Sequence, residues 1–177
     1  MATPIGHCLV GATLYLALSR ADRPATDWKS AVVCTLSAGA ADLDFLAGAA
    51  LGEWSRFHQG VSHSLVVALA FGLVMACLPV KSLGSWMRRA GVFSTLYVSH
   101  LVLDVLTADA RPPYGIPILW PLWTGHVRAP FSLFPTVRRE TLALILSPAN
   151  WIGAGVELLI LGLPLVGAVL YRRSRRR

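Results

Sequence analysis

An all-helical, membrane-embedded bundle of about five helices is the fold class this sequence predicts, and three observations predict it. Only 14% of the residues are charged and 55% are hydrophobic, whereas a soluble domain carries roughly a quarter charged residues. The mean hydropathy is +0.59, and the apolar residues gather in five long runs with no strand-like alternation. The positive charge is concentrated: Arg172, Arg173, Arg175, Arg176 and Arg177 follow the last run directly, as at a cytoplasmic membrane flank. Without those five of the sixteen basic residues, eleven remain against nine acidic ones. The net charge of +7 therefore describes a tail, and a nucleic-acid partner is not expected. With 177 residues, a single domain over 1–177 is expected.

The five runs, in order, are Ile5–Ser19, Ala31–Leu51, Ser64–Val80, Val92–Leu106 and Ile152–Tyr171. A hydrocarbon core of about 30 Å takes roughly 20 helical residues. The fifth run meets that length and reads as a C-terminal transmembrane helix over 152–171, with 172–177 as its basic tail. The third is short but free of charge, and the first and fourth are shorter still and suit partial insertion. The second contains Asp42 and Asp44, so it is no ordinary lipid-facing span. Between the fourth and fifth runs lies a long loop rich in proline and aromatics, with a short interfacial helix expected near Arg138–Leu146. Its Trp120 and Trp123 suit either a membrane–water boundary or ordinary loop packing. Cys8, Cys34 and Cys77 lie in apolar stretches without a CxxC, and read as small buried hydrophobes with neither a disulfide nor a metal role. No basic segment and cleavage site mark a removable leader.

Charge also predicts an orientation. If all five runs cross, three regions share one side: the 20–30 connection with Arg20, Arg23 and Lys29, the 81–91 connection with Lys81, Arg88 and Arg89, and the tail. Together they hold eleven of the sixteen basic residues, which makes that side cytoplasmic. The N-terminus, the 52–63 loop and the 107–151 loop then face away from the cytoplasm.

Seven side chains that can ligate a metal fall toward that second face: His7, Asp42, Asp44, His58, His63, His100 and Asp104. His100 and Asp104 stand four apart, so on a helix they share one side and could reach one ion or simply hydrogen-bond each other. Asp42 and Asp44 stand two apart and do not share a helical face; either one of them points at the pair or the helix is broken there. No Lys or Arg occurs from Ser30 through Ser55 or from Ala90 through Ala110. Carboxylates buried in that setting must pair or lose their charge. Arg56 is one available partner, and a divalent cation is a fuller solution. Imidazole plus carboxylate without thiolate suits zinc, with manganese or iron as alternatives. In "HQGVSHS", His63 leads into the third run, Ser62 and Ser64 could cap it or hold hydrogen bonds behind a ligand, and Gly60 allows a bend that would return His58 to the site. His126 reads as structural, and Glu157, in the last run, is assigned no role.

With these residues in hand, the chain resembles the YdjM family, described as LexA-regulated, membrane-bound, metal-dependent hydrolases. The marks are "TPIGH" with His7, "DLD" with Asp42 and Asp44, "HQGVSHS", "SHLVLD" with His100 and Asp104, and "GIPILWP" from Gly115 to Pro121. They occur in family order over residues 3–121. The family is more distantly similar to all-helical zinc phospholipases C and nucleases. The resemblance implies a first metal held by His63, His100, Asp104 and one of Asp42 and Asp44, and a second served by His7 and His58, with Asp104 bridging. The chain departs from the family at Gln59, where Arg is frequent, and at Ala41, where Pro is frequent. The later ligands of a three-zinc cluster are absent, so one or two ions are expected.

The expected function is a membrane-bound metal-dependent hydrolase of an ester or phosphodiester, with inner-membrane, multi-pass placement. Asp42 or Asp44 would act as general base toward a metal-activated water, and the bilayer would supply a lipid or other amphiphilic substrate. The rival expectation is a non-enzymatic membrane protein whose His/Asp cluster carries metal or protons or is structural. An HExxH protease is excluded because the motif is absent.

Overall fold

In the computed structural model, residues 1–20, 27–52, 57–109, 112–138, 144 and 146–175 are described. Among them are six α-helices and no strand: α1 Pro4–Leu18, α2 Trp28–Ser37, α3 Asp44–Ala50, α4 Leu65–Met75, α5 Trp86–Val105 and α6 Pro148–Ser174. The all-helical class is as the composition predicts. Arg23 and Arg56 lie outside the described residues, as does most of the helix expected near Arg138–Leu146.

The boundaries differ from the apolar runs where local chemistry overrides hydropathy. The second run is broken rather than continuous: a 3₁₀ turn at Ala40–Leu43 separates α2 from α3, and the two halves meet at 69°. α5 starts at Trp86, six residues before its apolar run, so it takes in Arg88 and Arg89. Those guanidiniums belong to the helix end. Arg88 donates to the Leu18 and Leu83 carbonyls at 2.7 and 2.9 Å, and Arg89 to Ala76 and Gly84 at 2.8 and 3.0 Å. Orphan carbonyls at helix C-termini are thereby satisfied by cations, the favourable sign for the dipole.

The helices run alternately between two ends. α1 begins beside Glu157 of α6 and ends where Arg172 donates to the Leu16 carbonyl at 2.7 Å and to Ser19, so α1 and α6 are parallel. α4 and α5 run antiparallel, in close contact: a Cβ on Gly72 would meet the Ala90 carbonyl at 2.6 Å. On Gly11 it would meet the Thr35 carbonyl at 2.8 Å, where α1 crosses α2. Tyr15, Cys34, Leu83, Phe93 and Leu96 form the core toward the basic end. Ala41, Ala68, Tyr97, Leu101 and Ile116 form the core under the opposite end.

The outer surface is apolar. α6 alone exposes Leu158, Leu159, Leu163, Val166 and Leu170 by more than half, and α4 exposes Leu69, Leu73 and Val74. α6, with 27 residues, is the one described helix long and apolar enough to cross a membrane, and only 17% of its apolar window is buried. That exposure is the reverse of a soluble core helix. α1 and α4, with 15 and 11 residues, are too short to cross a 30 Å core unaided. All three cysteines are free, but only Cys34 is buried; Cys77 is exposed and Cys8 intermediate, which corrects the expectation of three buried thiols.

Candidate metal centre

The site forms where four helix ends meet, and each ligand is placed by a local break in regular structure. Ser37 back-bonds to the Val33 carbonyl at 2.7 Å, and the chain tightens into the 3₁₀ turn. The Asp42 amide bonds to the Gly39 carbonyl at 3.2 Å, not to Ala38 as an α-helix would require. The Ala38 carbonyl, left over, accepts His100 Nδ1 at 3.0 Å. The same break that turns Asp42 inward thus fixes the His100 ring, leaving Nε2 for the centre. It also lets Asp42 and Asp44 reach the cluster together, the broken-helix alternative of the two that their spacing allowed.

His63 ends a second 3₁₀ turn, Val61–His63, just before α4 rather than in its first turn. Ser64 caps α4 by accepting the Val67 amide at 3.4 Å. The bend before it differs from expectation: the positive φ, 63°, falls on Gln59. Gly60 is needed instead for close approach, because a Cβ there would meet the Phe57 carbonyl at 2.9 Å. Ser62 donates to Asp44 Oδ2 at 2.7 Å, and Tyr97 donates to the Ser62 carbonyl at 2.8 Å.

All seven predicted residues come to this end. Asp42, His63, His100 and Asp104 each offer a ligand atom within 4.8 Å of the others, as do Asp44, His58 and His63. In the first set His100 Nε2 lies 3.4 Å from both Asp42 Oδ1 and Asp104 Oδ2, and His63 Nε2 lies 3.8 and 3.3 Å from the same oxygens. His7 stacks on His100 with centroids 3.7 Å apart. It turns Nε2 toward Asp104 Oδ1 at 3.6 Å and Asp42 Oδ2 at 4.0 Å. Each of these two carboxylates therefore aims one oxygen at the His63/His100 pair and the other at His7. His58 is placed otherwise: it meets Asp44 Oδ1 at 2.8 Å and Asp42 Oδ1 at 3.7 Å, and its Nε2 lies 2.8 Å from the Met1 sulfur. It stands with Asp44 rather than beside His7, unlike the pairing the resemblance implied.

The residues of the first set fit a divalent ion. His7 Nδ1 and Nε2, Asp42 Oδ1 and Asp104 Oδ2 are buried and make no hydrogen bond, a costly state for polar atoms that face one another. None of the three carboxylates pairs with a lysine or arginine among the described residues. In the second set the contacts are satisfied hydrogen bonds, so Asp44 serves better behind the ligands than among them. His63 joins the two sets, with Nε2 toward the first and Nδ1 3.4 Å from Asp44 Oδ2. Burial by itself lowers the pKa of His63, but hydrogen bonds to Asp104 and Asp44 outweigh it and raise it above the ordinary imidazole value.

Two further features position the site. Glu157 is buried and accepts the Thr3 and Gly6 amides at 2.7 and 3.1 Å, and the Thr3 hydroxyl. It reinforces the Thr3 cap of α1 and so sets the turn that carries His7. The signal was there: one carboxylate in an otherwise uncharged 20-residue run is costly unless it is used. The long loop is the second feature. Leu65 donates to the Ile118 carbonyl at 2.9 Å and Ala129 to the Val105 carbonyl at 3.1 Å, so the loop is strapped to the chain beside both His63 and Asp104.

The profile of a family described as YdjM inner membrane protein matches residues 1–175. No curated protein and no solved structure matches the chain.

Proposed function

Because the chain belongs to the YdjM inner membrane protein family, we propose that it is a membrane-bound metal-dependent hydrolase acting on an ester or phosphodiester. The observation that carries this reading is the convergence of Asp42, His63, His100 and Asp104 within 4.8 Å, with the carboxylate oxygens Asp42 Oδ1 and Asp104 Oδ2 buried and without hydrogen bonds. A divalent ion, zinc first on this donor set, would lower the pKa of a water and polarise the scissile group. Asp42 and Asp104 hold the centre together, and His7 meets the oxygens they turn outward. Asp44 orients His63 through Nδ1 and lies against His58. Asp42 or Asp44 would accept the proton of the attacking water.

The exposed apolar surface supports a lipid-like substrate. Arg88, Arg89 and Arg172 lie at one end of the bundle and the site at the other, with apolar side chains exposed between. Leu122, Trp123 and Phe131 are exposed at the site end, where amphipathic rings suit the headgroup level. The charge distribution supports multi-pass insertion with the tail cytoplasmic and the site extracytoplasmic. The test is elemental analysis of detergent-purified protein beside His63→Ala and Asp104→Ala, followed by an ester and phosphodiester panel. One or two zinc, manganese or iron ions per chain, lost in both variants, with turnover by the wild type alone, is the expected result. No metal after reloading sinks the proposal, as does a loaded protein that cleaves nothing on the panel.

A further inference from the structure

We propose that the cavity beside Asp104 is a phosphate-binding subsite and that Arg128 is its cation, which makes the substrate class of the proposed hydrolase a phosphate ester. The proposal rests on the hydrolase reading for the reaction but not for the binding. The cavity encloses about 230 Å³ and is lined by Asp104, Thr107, Asp109, Gly115, Arg128 and Ser132 among others. It therefore lies at the C-terminal end of α5, beside Asp104 of the metal set.

Arg128 is held there by backbone rather than by its own charge. Val127 bridges Ile116 in an antiparallel pair, and Ala129 donates to the Val105 carbonyl at 3.1 Å, one residue past Asp104. Gly115 adopts φ 90° and packs so closely on Val127 that a Cβ would clash with its backbone. Two fixed segments thus present Arg128 at the cavity. Its guanidinium lies 5.4 Å from the Tyr114 ring centre and makes no hydrogen bond or ion pair with any described residue. A guanidinium placed that way keeps its planar fork of donors available, and that fork matches two oxygens of a phosphate.

The surrounding charge selects the same chemistry. Asp109 accepts the Gly115 amide at 3.0 Å and so serves the turn. Asp104 faces His63, His100 and His7. A neutral ester has no charge for a guanidinium to meet, whereas a phosphodiester or phosphomonoester brings the anion the fork needs. The volume is below the roughly 300–1,000 Å³ of pockets that enclose whole drug-sized ligands. It suits a phosphate with its first ester group, the remainder of the molecule lying outside. Phosphate of that kind reaches this end of the molecule either as a lipid headgroup or as a water-soluble ester.

The test is a calorimetric titration of the zinc-loaded full chain in nanodiscs, wild type beside Arg128→Ala and Arg128→Lys, with zinc content measured in each. The probes are orthophosphate, glycerol 3-phosphate, and phosphatidic acid included in the nanodisc as a competitor. Orthophosphate is expected to bind the wild type, at least tenfold more weakly to Arg128→Ala, and with intermediate affinity to Arg128→Lys, which keeps charge but loses the fork. Zinc content should be unchanged. Competition by phosphatidic acid identifies the headgroup as the source, and binding of glycerol 3-phosphate without such competition identifies a soluble ester. Equal affinity in wild type and Arg128→Ala overturns the proposal, as does a wild type that binds no phosphate. If the hydrolase reading alone fails, Arg128-dependent phosphate binding persists without turnover, so the two failures are distinct.

Discussion

Asp44 and His63 carry the sharpest expectations at the scale of single residues. Asp44 touches His63 Nδ1, His58 Nδ1 and the Ser62 hydroxyl, the pattern of a carboxylate that fixes a ligand's ring from behind. Such partners are worth roughly 10–100-fold in metal affinity, so Asp44→Asn should weaken zinc binding by that factor in a chelator competition. An unchanged affinity would remove Asp44 from this role. His63 also sets a pH dependence. Its folded pKa is raised, so in the metal-free protein it contributes stability that is complete below about pH 6.5, the unfolded imidazole value, and is lost as pH rises through the folded value. Metal requires the neutral ring. The gap in melting temperature between zinc-loaded and chelator-stripped protein should therefore widen between about pH 6 and pH 8; a gap that narrows would count against His63 as a ligand. The sequence made these residue types legible through the missing counter-charge around Asp42 and Asp104. At position 59, where the resembled family frequently has Arg, the chain has Gln59. Arg128 could not be picked from sequence, because only the loop's two backbone anchors bring it to Asp104.

Whole elements matter through their ends. Glu157 joins α6 to the first turn of α1 by accepting two amides and a hydroxyl, and that turn carries His7. Glu157→Ala leaves buried donors unsatisfied, at a cost of about 1–3 kcal/mol, and frees the turn. A lower melting temperature in detergent is expected, together with loss of metal on the His7 side while the His63/His100 set keeps its ion. Unchanged stability and stoichiometry would leave Glu157 without this function. The contact of α4 with α5 makes a second test. A larger side chain at Gly72 must displace the Ala90 backbone, 2.6 Å from its Cβ position. Gly72→Val should thus separate the helices that bring His63 to His100 and lower metal content as well as stability, whereas the exposed Leu73→Val change should alter neither. Hydropathy located these helices to within about six residues but could not place the break at Ala40–Leu43, since the spacing of Asp42 and Asp44 fits either a broken helix or one with a single inward carboxylate. The break is decided by the Ser37 back-bond and by His100 taking the Ala38 carbonyl, a residue some sixty positions away.

For the molecule as a whole, the two-ended layout makes orientation testable with a native thiol. Cys77 is exposed and follows α4 at the end where Arg89 meets the Ala76 carbonyl. In a Cys8→Ser, Cys34→Ser background, a membrane-impermeant maleimide should label Cys77 in inverted inner-membrane vesicles and not in intact spheroplasts. Labelling from the outside would reverse the orientation inferred from charge. By itself the sequence determined the helical class, the apolar girdle, the basic tail and the identity of the seven polar residues. Those follow from composition and from the cost of burying charge, both of which act on residue type alone. Only the tertiary structure decided which carboxylate faces which imidazole, that His58 stands with Asp44 and His7 with Asp104, and that Glu157 joins the last helix to the Thr3 turn. These are contacts between segments far apart in the chain. No local periodicity encodes them, because they depend on how helix ends meet once the bundle has closed.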